Sequence, residues 1–162
     1  MNAQPAPEFN LEHIEGDPVA LSDYRGRAVV VAFSGKDTAE EMASGIKALR
    51  KKFDHEQLPI LAVADMGGIP RPARPIARKQ LKKGYKDAVE EASAELQAAG
   101  KAVPPGPQLI VMLPDWDGSV ASSFGVGDAD KQAAMVLVDA EGNVRGQGRG
   151  PEAAQEIMAQ LA

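Results

Sequence analysis

The stretch that decides the fold runs from Val29 to Glu41 and has the sequence Val-Val-Val-Ala-Phe-Ser-Gly-Lys-Asp-Thr-Ala-Glu-Glu. Its first five residues, up to Phe33, are apolar and rich in β-branched side chains, which predicts a strand buried on both faces of a sheet. The chain then turns at Ser34-Gly35, and apolar residues at helical spacing follow as far as Phe53. A strand, a tight turn and a helix N-terminus in this order are where α/β proteins commonly carry their functional groups.

Further apolar runs continue this pattern along the chain. We expect strands at Ile60–Ala64, Gln108–Leu113 and Ala134–Val138, a glycine-rich edge strand from Val144, and a last helix that begins at Pro151. Strands of continuous apolar residues that alternate with helices predict an α/β domain with a largely parallel sheet.

The N-terminal region carries a different pattern. Phe9 and Leu11 on one side of Glu15-Gly16-Asp17-Pro18, and Val19 and Leu21 on the other, are apolar residues at a period of two. Such alternation around turn-forming residues predicts a β-hairpin ahead of the Val29 strand.

Length and composition limit the class of protein. With 162 residues, 44% hydrophobic and 25% charged, we expect one folded domain that covers residues 1–162. A net charge of −5 argues against a general nucleic-acid binder, and no apolar run approaches the roughly 20 residues of a membrane-spanning helix. The first residues have neither a basic start nor an apolar core, so we expect no signal peptide and a cytoplasmic location.

The chain contains no cysteine, which removes disulfides, thiolate nucleophiles and thiolate metal ligands together. The two histidines, His13 and His55, stand far apart and form no metal-ligand spacing. We therefore expect surface or capping roles for both, and neither a metal nor another cofactor.

The segment from about residue 66 to residue 107 differs from the rest and predicts a helical insertion. It begins in a Pro/Gly loop and ends in Val103-Pro104-Pro105-Gly106-Pro107, which predicts a rigid, non-helical linker. Between them the charges are segregated. The basic residues Arg71, Arg74, Arg78, Lys79, Lys82, Lys83 and Lys86 come first, and the acidic residues Asp87, Glu90, Glu91 and Glu95 follow. In one continuous helix that order opposes the macrodipole, so the pattern favours a break at Gly84.

The basic residues of this segment are the best candidate interaction surface in the sequence. We expect Arg71, Arg74, Arg78, Lys79, Lys82 and Lys83 to contact an acidic protein, an anionic ligand or RNA. The alternative is that they form an ordinary solvated face.

Three parts of the chain together resemble a known superfamily. Ala6 to Leu11 followed by Gly16 to Phe33 is similar to the opening of the peroxiredoxin (alkyl hydroperoxide reductase/thiol-specific antioxidant) and thiol–disulfide oxidoreductase families. Asp115 to Val126 resembles their D-x-D-G-x-V-A-x-x-Y-G-V stretch, and Val136 to Arg145 resembles their F-L-I-D-x-x-G-x-I-R hairpin. The resemblance implies a thioredoxin-like three-layer α/β fold: a mixed central sheet with helices on both faces, an N-terminal hairpin and a helical insertion.

The same resemblance locates the positions where those families carry out redox chemistry. The C-x-x-C motif of the oxidoreductases falls on Thr38 and Glu41, and neither residue can form a disulfide. The cis-proline of the oxidoreductases, or the arginine of the peroxiredoxins, falls near Gln132-Ala133-Ala134, which contains neither. The resemblance therefore implies a thioredoxin-like domain without the redox groups.

Two interpretations of the turn remain. Thr38 and Glu41 have the spacing of a capping box, in which the Thr hydroxyl and the Glu carboxylate satisfy helix amides. Alternatively, Ser34, Lys36, Thr38 and Glu41 take part in thiol-independent chemistry on a small substrate, or Lys36 and the helix amides bind an anion. The cap is favoured because no histidine lies nearby in the sequence to act as a base.

These observations favour a redox-inactive binding or scaffold module with an unknown protein partner over an enzyme. The alternatives are an enzyme that acts at the former active-site turn, or a divergent antioxidant protein of the peroxiredoxin family. Asp115 and Asp117 could suggest a metal site, but the family resemblance implies that they are turn residues. Trp116, which lies between them, is either an exposed turn residue or a contact residue.

Overall fold

The computed structural model describes residues 4–35, 37–126 and 131–161. The strands are β1 (Gln4–Pro5), β2 (Asn10–Glu12), β3 (Pro18–Ala20), β4 (Val29–Ser34), β5 (Ile60–Asp65), β6 (Val111–Asp115), β7 (Ala134–Val138) and β8 (Asn143–Arg149). The α-helices are α1 (Ala39–Arg50), α2 (Arg74–Ala98), α3 (Gly106–Leu109), α4 (Ser119–Ser123) and α5 (Ala153–Leu161).

The main sheet is mixed and has the strand order β1-β8-β7-β4-β5-β6. Strands β4, β5 and β6 are parallel to one another, whereas β7 is antiparallel to both β4 and β8. The mixed sheet implied by the family resemblance is confirmed, and the largely parallel sheet expected from the apolar runs is wrong. Burial on both faces produces a continuous apolar run in either strand direction, so the runs alone do not report direction.

The sheet is covered on both faces, which explains why β4 is apolar throughout. Val29, Val31 and Phe33 contact one apolar cluster, which includes the N-terminal hairpin and α4. Val30 and Ala32 face a second cluster, formed with α1 and α5. Because successive strand side chains alternate between faces, a strand between two cores needs apolar residues at every position.

The predicted N-terminal hairpin is confirmed. Strands β2 and β3 pair antiparallel, and Leu11 lies opposite Val19. Strand β8 was expected to be an edge strand, and this is wrong. The short strand β1 pairs with it, and Gln4 lies opposite Val144. A two-residue strand carries too little pattern to be predicted from sequence.

Helix α2 is continuous, so the expected break at Gly84 is wrong. Leu81, Tyr85 and Val89 recur at a spacing of four and are buried or half-buried, which gives the helix one packed face on both sides of Gly84. Glu91 also forms a salt bridge with Lys47 of α1. These contacts outweigh the unfavourable charge order, which costs about 0.3–1 kcal/mol per exposed charge.

The linker before β6 also differs from expectation. Gly106–Leu109 forms one helical turn, and β6 therefore begins at Val111 rather than at Gln108. Pro107 lies in the first turn of this helix, where proline needs no N–H partner. Proline at that position starts a helix instead of preventing one.

Within the described residues, no helix combines the length and the apolar character needed to cross a membrane.

Candidate functional site

The turn after β4 is closed by hydrogen bonds within the chain. Ser34 is half-buried, and Thr38 is only 6% exposed. The N–H of Gly35 donates to Thr38 Oγ1 at 2.9 Å. Lys36, the remaining candidate in this turn, lies outside the described residues. The Thr38 hydroxyl therefore stabilises the turn from inside.

Glu41 connects α1 to the loop before β7. Its Oε2 accepts a hydrogen bond from the N–H of Ala133 at 3.0 Å, and Ala133 is buried. Thr38 does occupy the N-cap position, but its side chain bonds no helix amide. The predicted capping box is therefore wrong in its contacts: both side chains bond backbone N–H groups, but on neighbouring loops.

The structure does not bring either histidine to this turn. His13 bonds Ile110, just before β6, and His55 lies in the turn that precedes β5. Since β4, β5 and β6 are parallel, both positions lie at the end of the sheet opposite to Ser34. A nucleophile at the turn thus has no imidazole base from this chain.

His13 is a buried structural residue, contrary to the expected surface or capping role. It is 3% exposed, and its Nδ1 accepts the N–H of Glu15 at 3.0 Å. With Nδ1 as the acceptor, Nε2 carries the proton and donates to the carbonyl of Ile110 at 3.0 Å, while the N–H of Met112 lies 3.4 Å from the same nitrogen. Its ring also packs nearly perpendicular to the ring of Tyr85, at a centroid distance of 5.3 Å. His13 thereby ties the hairpin to β6 and α2.

Trp116 lies beneath two arginines of α2. The guanidinium of Arg74 lies 5.7 Å and that of Arg78 5.1 Å from the Trp116 ring centroid, within cation–π range. Arg74 Nη2 also donates to the Trp116 carbonyl at 3.2 Å. Its Nε is buried and has no hydrogen-bond partner among the described residues. Trp116 is therefore a contact residue within the chain.

Asp115 holds the turn that carries Trp116. Its Oδ2 accepts the N–H groups of Val120 and Ala121 at 3.0 and 3.2 Å, at the start of α4. Burial raises the pKa of the Asp115 carboxyl, and the two hydrogen bonds oppose that rise. The neighbouring charges of Asp65 and Asp117 raise it further. Asp115 acts in this way as a helix cap.

A groove of about 530 Å³ lies between the hairpin and this turn. It is bounded by Glu8 to His13 on one side and by Arg78 and Trp116 on the other. Sequence reasoning missed this groove because its walls are about a hundred residues apart in the chain. Its only signal in the sequence is Trp116, the single tryptophan of the chain.

The structure divides the predicted basic surface into two parts. Half-buried Arg74 and exposed Arg78 lie over the ring of Trp116, and Lys79, Lys82 and Lys83 are exposed to solvent. Arg71 is exposed in the short 3-10 helix before α2. Among the residues that the structure describes, none of the three lysines forms an ion pair. These three lysines therefore form an exposed group of positive charges on α2.

The model of the AhpC/TSA family matches residues 3–147. The chain belongs to the AhpC/TSA family. No curated protein sequence matches it.

Solved structures confirm the thioredoxin-like α/β fold. The exposed lipoprotein thioredoxin of Streptococcus pneumoniae is similar with a TM-score of 0.65 and 18% identity, over 96% of this chain and 98% of that one. A thiol-disulfide oxidoreductase from Bacteroides fragilis also has a TM-score of 0.65, with 15% identity over 98% of this chain and 100% of its own. A putative thiol:disulfide interchange protein DsbE from Chlorobium tepidum has a TM-score of 0.62, with 18% identity over 100% of this chain and 99% of that one.

Proposed function

We propose that this AhpC/TSA domain is a redox-inactive binding module whose interaction surface is the exposed face of α2. The observation that carries the proposal is the set of hydrogen bonds that the side chains of Thr38 and Glu41 form. In the positions that match the oxidoreductase cysteines, both side chains accept hydrogen bonds from backbone N–H groups. The chain has no thiol elsewhere to replace them.

The second part of the proposal rests on the charges of α2. Residues 71–86 contain seven basic side chains and no acidic one. A solvated helix face of an ordinary protein mixes both signs, because like charges at i,i+4 destabilise the helix. Here Lys79 and Lys83 repel each other at that spacing, and so do Lys82 and Lys86. A partner of opposite charge would remove this cost.

The test is binding by a triple variant, Lys79→Gln/Lys82→Gln/Lys83→Gln. We expect the intact protein, immobilised and incubated with native lysate, to retain binding partners. Their binding should weaken as the salt concentration is raised, because salt screens exposed charges. The triple variant should lose them. A matched triple, Lys51→Gln/Lys52→Gln/Lys101→Gln, removes the same charge from other exposed positions and should retain them. Equal retention by both triples would contradict the proposed surface.

A further inference from the structure

The exposed face of α2 carries both signs of charge in two blocks. Seven residues of the helix point away from the protein body at spacings of three or four, and all are exposed. They are Ile76, Lys79, Lys83, Asp87, Glu90, Ala94 and Gln97, which we call the α2 stripe. Lys86 lies beside Asp87 at its centre. The stripe is thus basic in its first half and acidic in its second.

This order is self-complementary under a two-fold rotation. If two α2 helices lie antiparallel with the axis at the boundary between Lys86 and Asp87, the basic half of each faces the acidic half of the other. Lys83 then lies opposite Glu90 at two symmetry-related contacts. A two-fold interface presents the same patch from both copies, as this stripe can.

We infer that the α2 stripe is a homodimer interface, in which α2 pairs antiparallel with α2 of a second copy of this chain. The inference rests on the proposed function and names the partner of its surface. The unfavourable order of charges in the single helix becomes favourable in the pair. Each end of the helix dipole then lies beside the opposite end of its partner.

The exposed side chain of Ile76 supports the same arrangement. Ile76 is 65% exposed, and within the described part of the chain only Val103 is another large hydrophobic residue of that kind. In the antiparallel pair, Ile76 lies against the opposite end of the second helix, near Ala94 and Gln97. Pairing would remove its apolar surface from water.

The charge distribution favours a second copy over a polyanion. A nucleic acid or an anionic membrane placed along the basic half would meet the acidic half of the same helix. The whole chain also carries a net charge of −5, which opposes polyanions at long range. An antiparallel copy matches both halves at once.

The body of the protein holds α2 in place for this contact. Tyr85 is buried and packs on His13, and Glu91 pairs with Lys47 of α1. These anchors lie on the other sides of the helix, so pairing along the stripe requires no change in them. Arg74, Arg78 and the groove beside Trp116 also stay free of the interface.

The test uses charge reversals and sedimentation equilibrium at low salt. We expect the wild type to dimerise and the dimer to dissociate at high salt. Lys83→Glu and Glu90→Lys each bring like charges together at both contacts. The dissociation constant of the dimer should therefore rise at least about tenfold in each variant alone. An equimolar mixture should form heterodimers, because each contact then joins opposite charges. Lys52→Glu and Glu56→Lys are charge controls outside α2 and should dimerise like the wild type.

Three outcomes would overturn the inference: a monomeric wild type at every concentration, single variants that dimerise like the wild type, or a mixture without heterodimers. Far-UV circular dichroism confirms that each variant keeps its helix content. If the wild type is monomeric while the lysine triple still loses an acidic partner or RNA, the homodimer is wrong and the proposed binding surface stands. If the wild type dimerises through the stripe but retention is the same for both triples, the proposed surface for other partners fails alone.

Discussion

At the scale of single residues, the side chain of Glu41 forms a hydrogen bond with the backbone of a distant loop. Its carboxylate accepts the N–H of Ala133 at 3.0 Å and so joins α1 to the loop before β7. A buried N–H without a partner costs about 1–3 kcal/mol. The contact therefore contributes to the stability of the turn and the loop together.

Removing that acceptor should destabilise the protein. We expect Glu41→Ala to lower the free energy of unfolding by about 1–3 kcal/mol, because the Ala133 N–H loses its partner. Glu41→Gln keeps an acceptor oxygen and should lose less. Urea denaturation measures both, with Glu40→Ala at an exposed neighbouring position as the control. Equal effects at positions 40 and 41 would show that the contact is unimportant.

Asp139 predicts a pH dependence with a defined sign. The N–H of Asn143, followed by the Arg145 side chain and the N–H of Glu141, holds the pKa of the Asp139 carboxyl below its ordinary value. A folded-state pKa below the unfolded one gives stability that is present above the unfolded pKa, about 3.9, and lost as pH falls through the folded value.

We therefore expect wild-type stability to fall more steeply below about pH 4 than that of Asp139→Asn, which has no carboxyl to titrate there. At neutral pH the Asn variant should be the less stable of the two. Thermal unfolding across this range measures both slopes, and Glu152→Gln provides an exposed carboxylate on another element as the control. Parallel pH profiles for wild type and Asp139→Asn would refute the assignment.

At the scale of elements, the continuity of α2 can be tested at its glycine. A Cβ added to Gly84 would meet nothing within 4 Å, and the residue is in the interior of the helix. Gly84→Ala should therefore stabilise the protein by about 0.5–1 kcal/mol, because alanine loses less conformational freedom on folding. The midpoint of chemical denaturation checks this. A loss of stability would indicate the broken helix that the charge order favours.

The elements were predictable where one physical pattern dominated and were not where two competed. The run Val29–Phe33 lies between two cores, so its apolar pattern indicates a buried strand without ambiguity. Around Gly84 the charges and the packed face of Leu81, Tyr85 and Val89 pointed to different structures. The burial that decides between them depends on tertiary contacts with His13 and α1, which no local pattern contains.

At the scale of the whole molecule, the spacing between α5 and the sheet depends on Gly148. A Cβ at this position would lie 2.8 Å from the carbonyl oxygen and 2.9 Å from the Cα of Ala153. Both are backbone atoms, so the helix itself would have to move away from β8. We expect Gly148→Ala to lower the free energy of unfolding by about 1–3 kcal/mol in urea denaturation.

Gly68→Ala is the matched control for this change. A Cβ at Gly68 meets nothing within 4 Å, so the same substitution there should have little effect on stability. A similar loss at both positions would mean that the close approach of α5 to β8 is not the cause.

The candidate site was predictable only in part, because several of its contacts join residues that are far apart in the chain. The position of the turn followed from the strand and helix around it, but the partners of Thr38 and Glu41 did not. Ala133 is 92 residues from Glu41 in the chain. The pairing of Arg74 and Arg78 with Trp116 likewise joins two segments about forty residues apart, and it splits a basic cluster that looks uniform in the sequence.

The central proposal is that this AhpC/TSA chain carries out no thiol-type redox reaction. The most direct measurement is the rate at which the pure protein reduces insulin disulfides and consumes hydroperoxide in the presence of a thiol reductant. We predict rates equal to those of the reductant alone, since Thr38 and Glu41 hold backbone groups and the chain has no cysteine. Turnover above that background, lost in Thr38→Val or Ser34→Ala, would contradict the account.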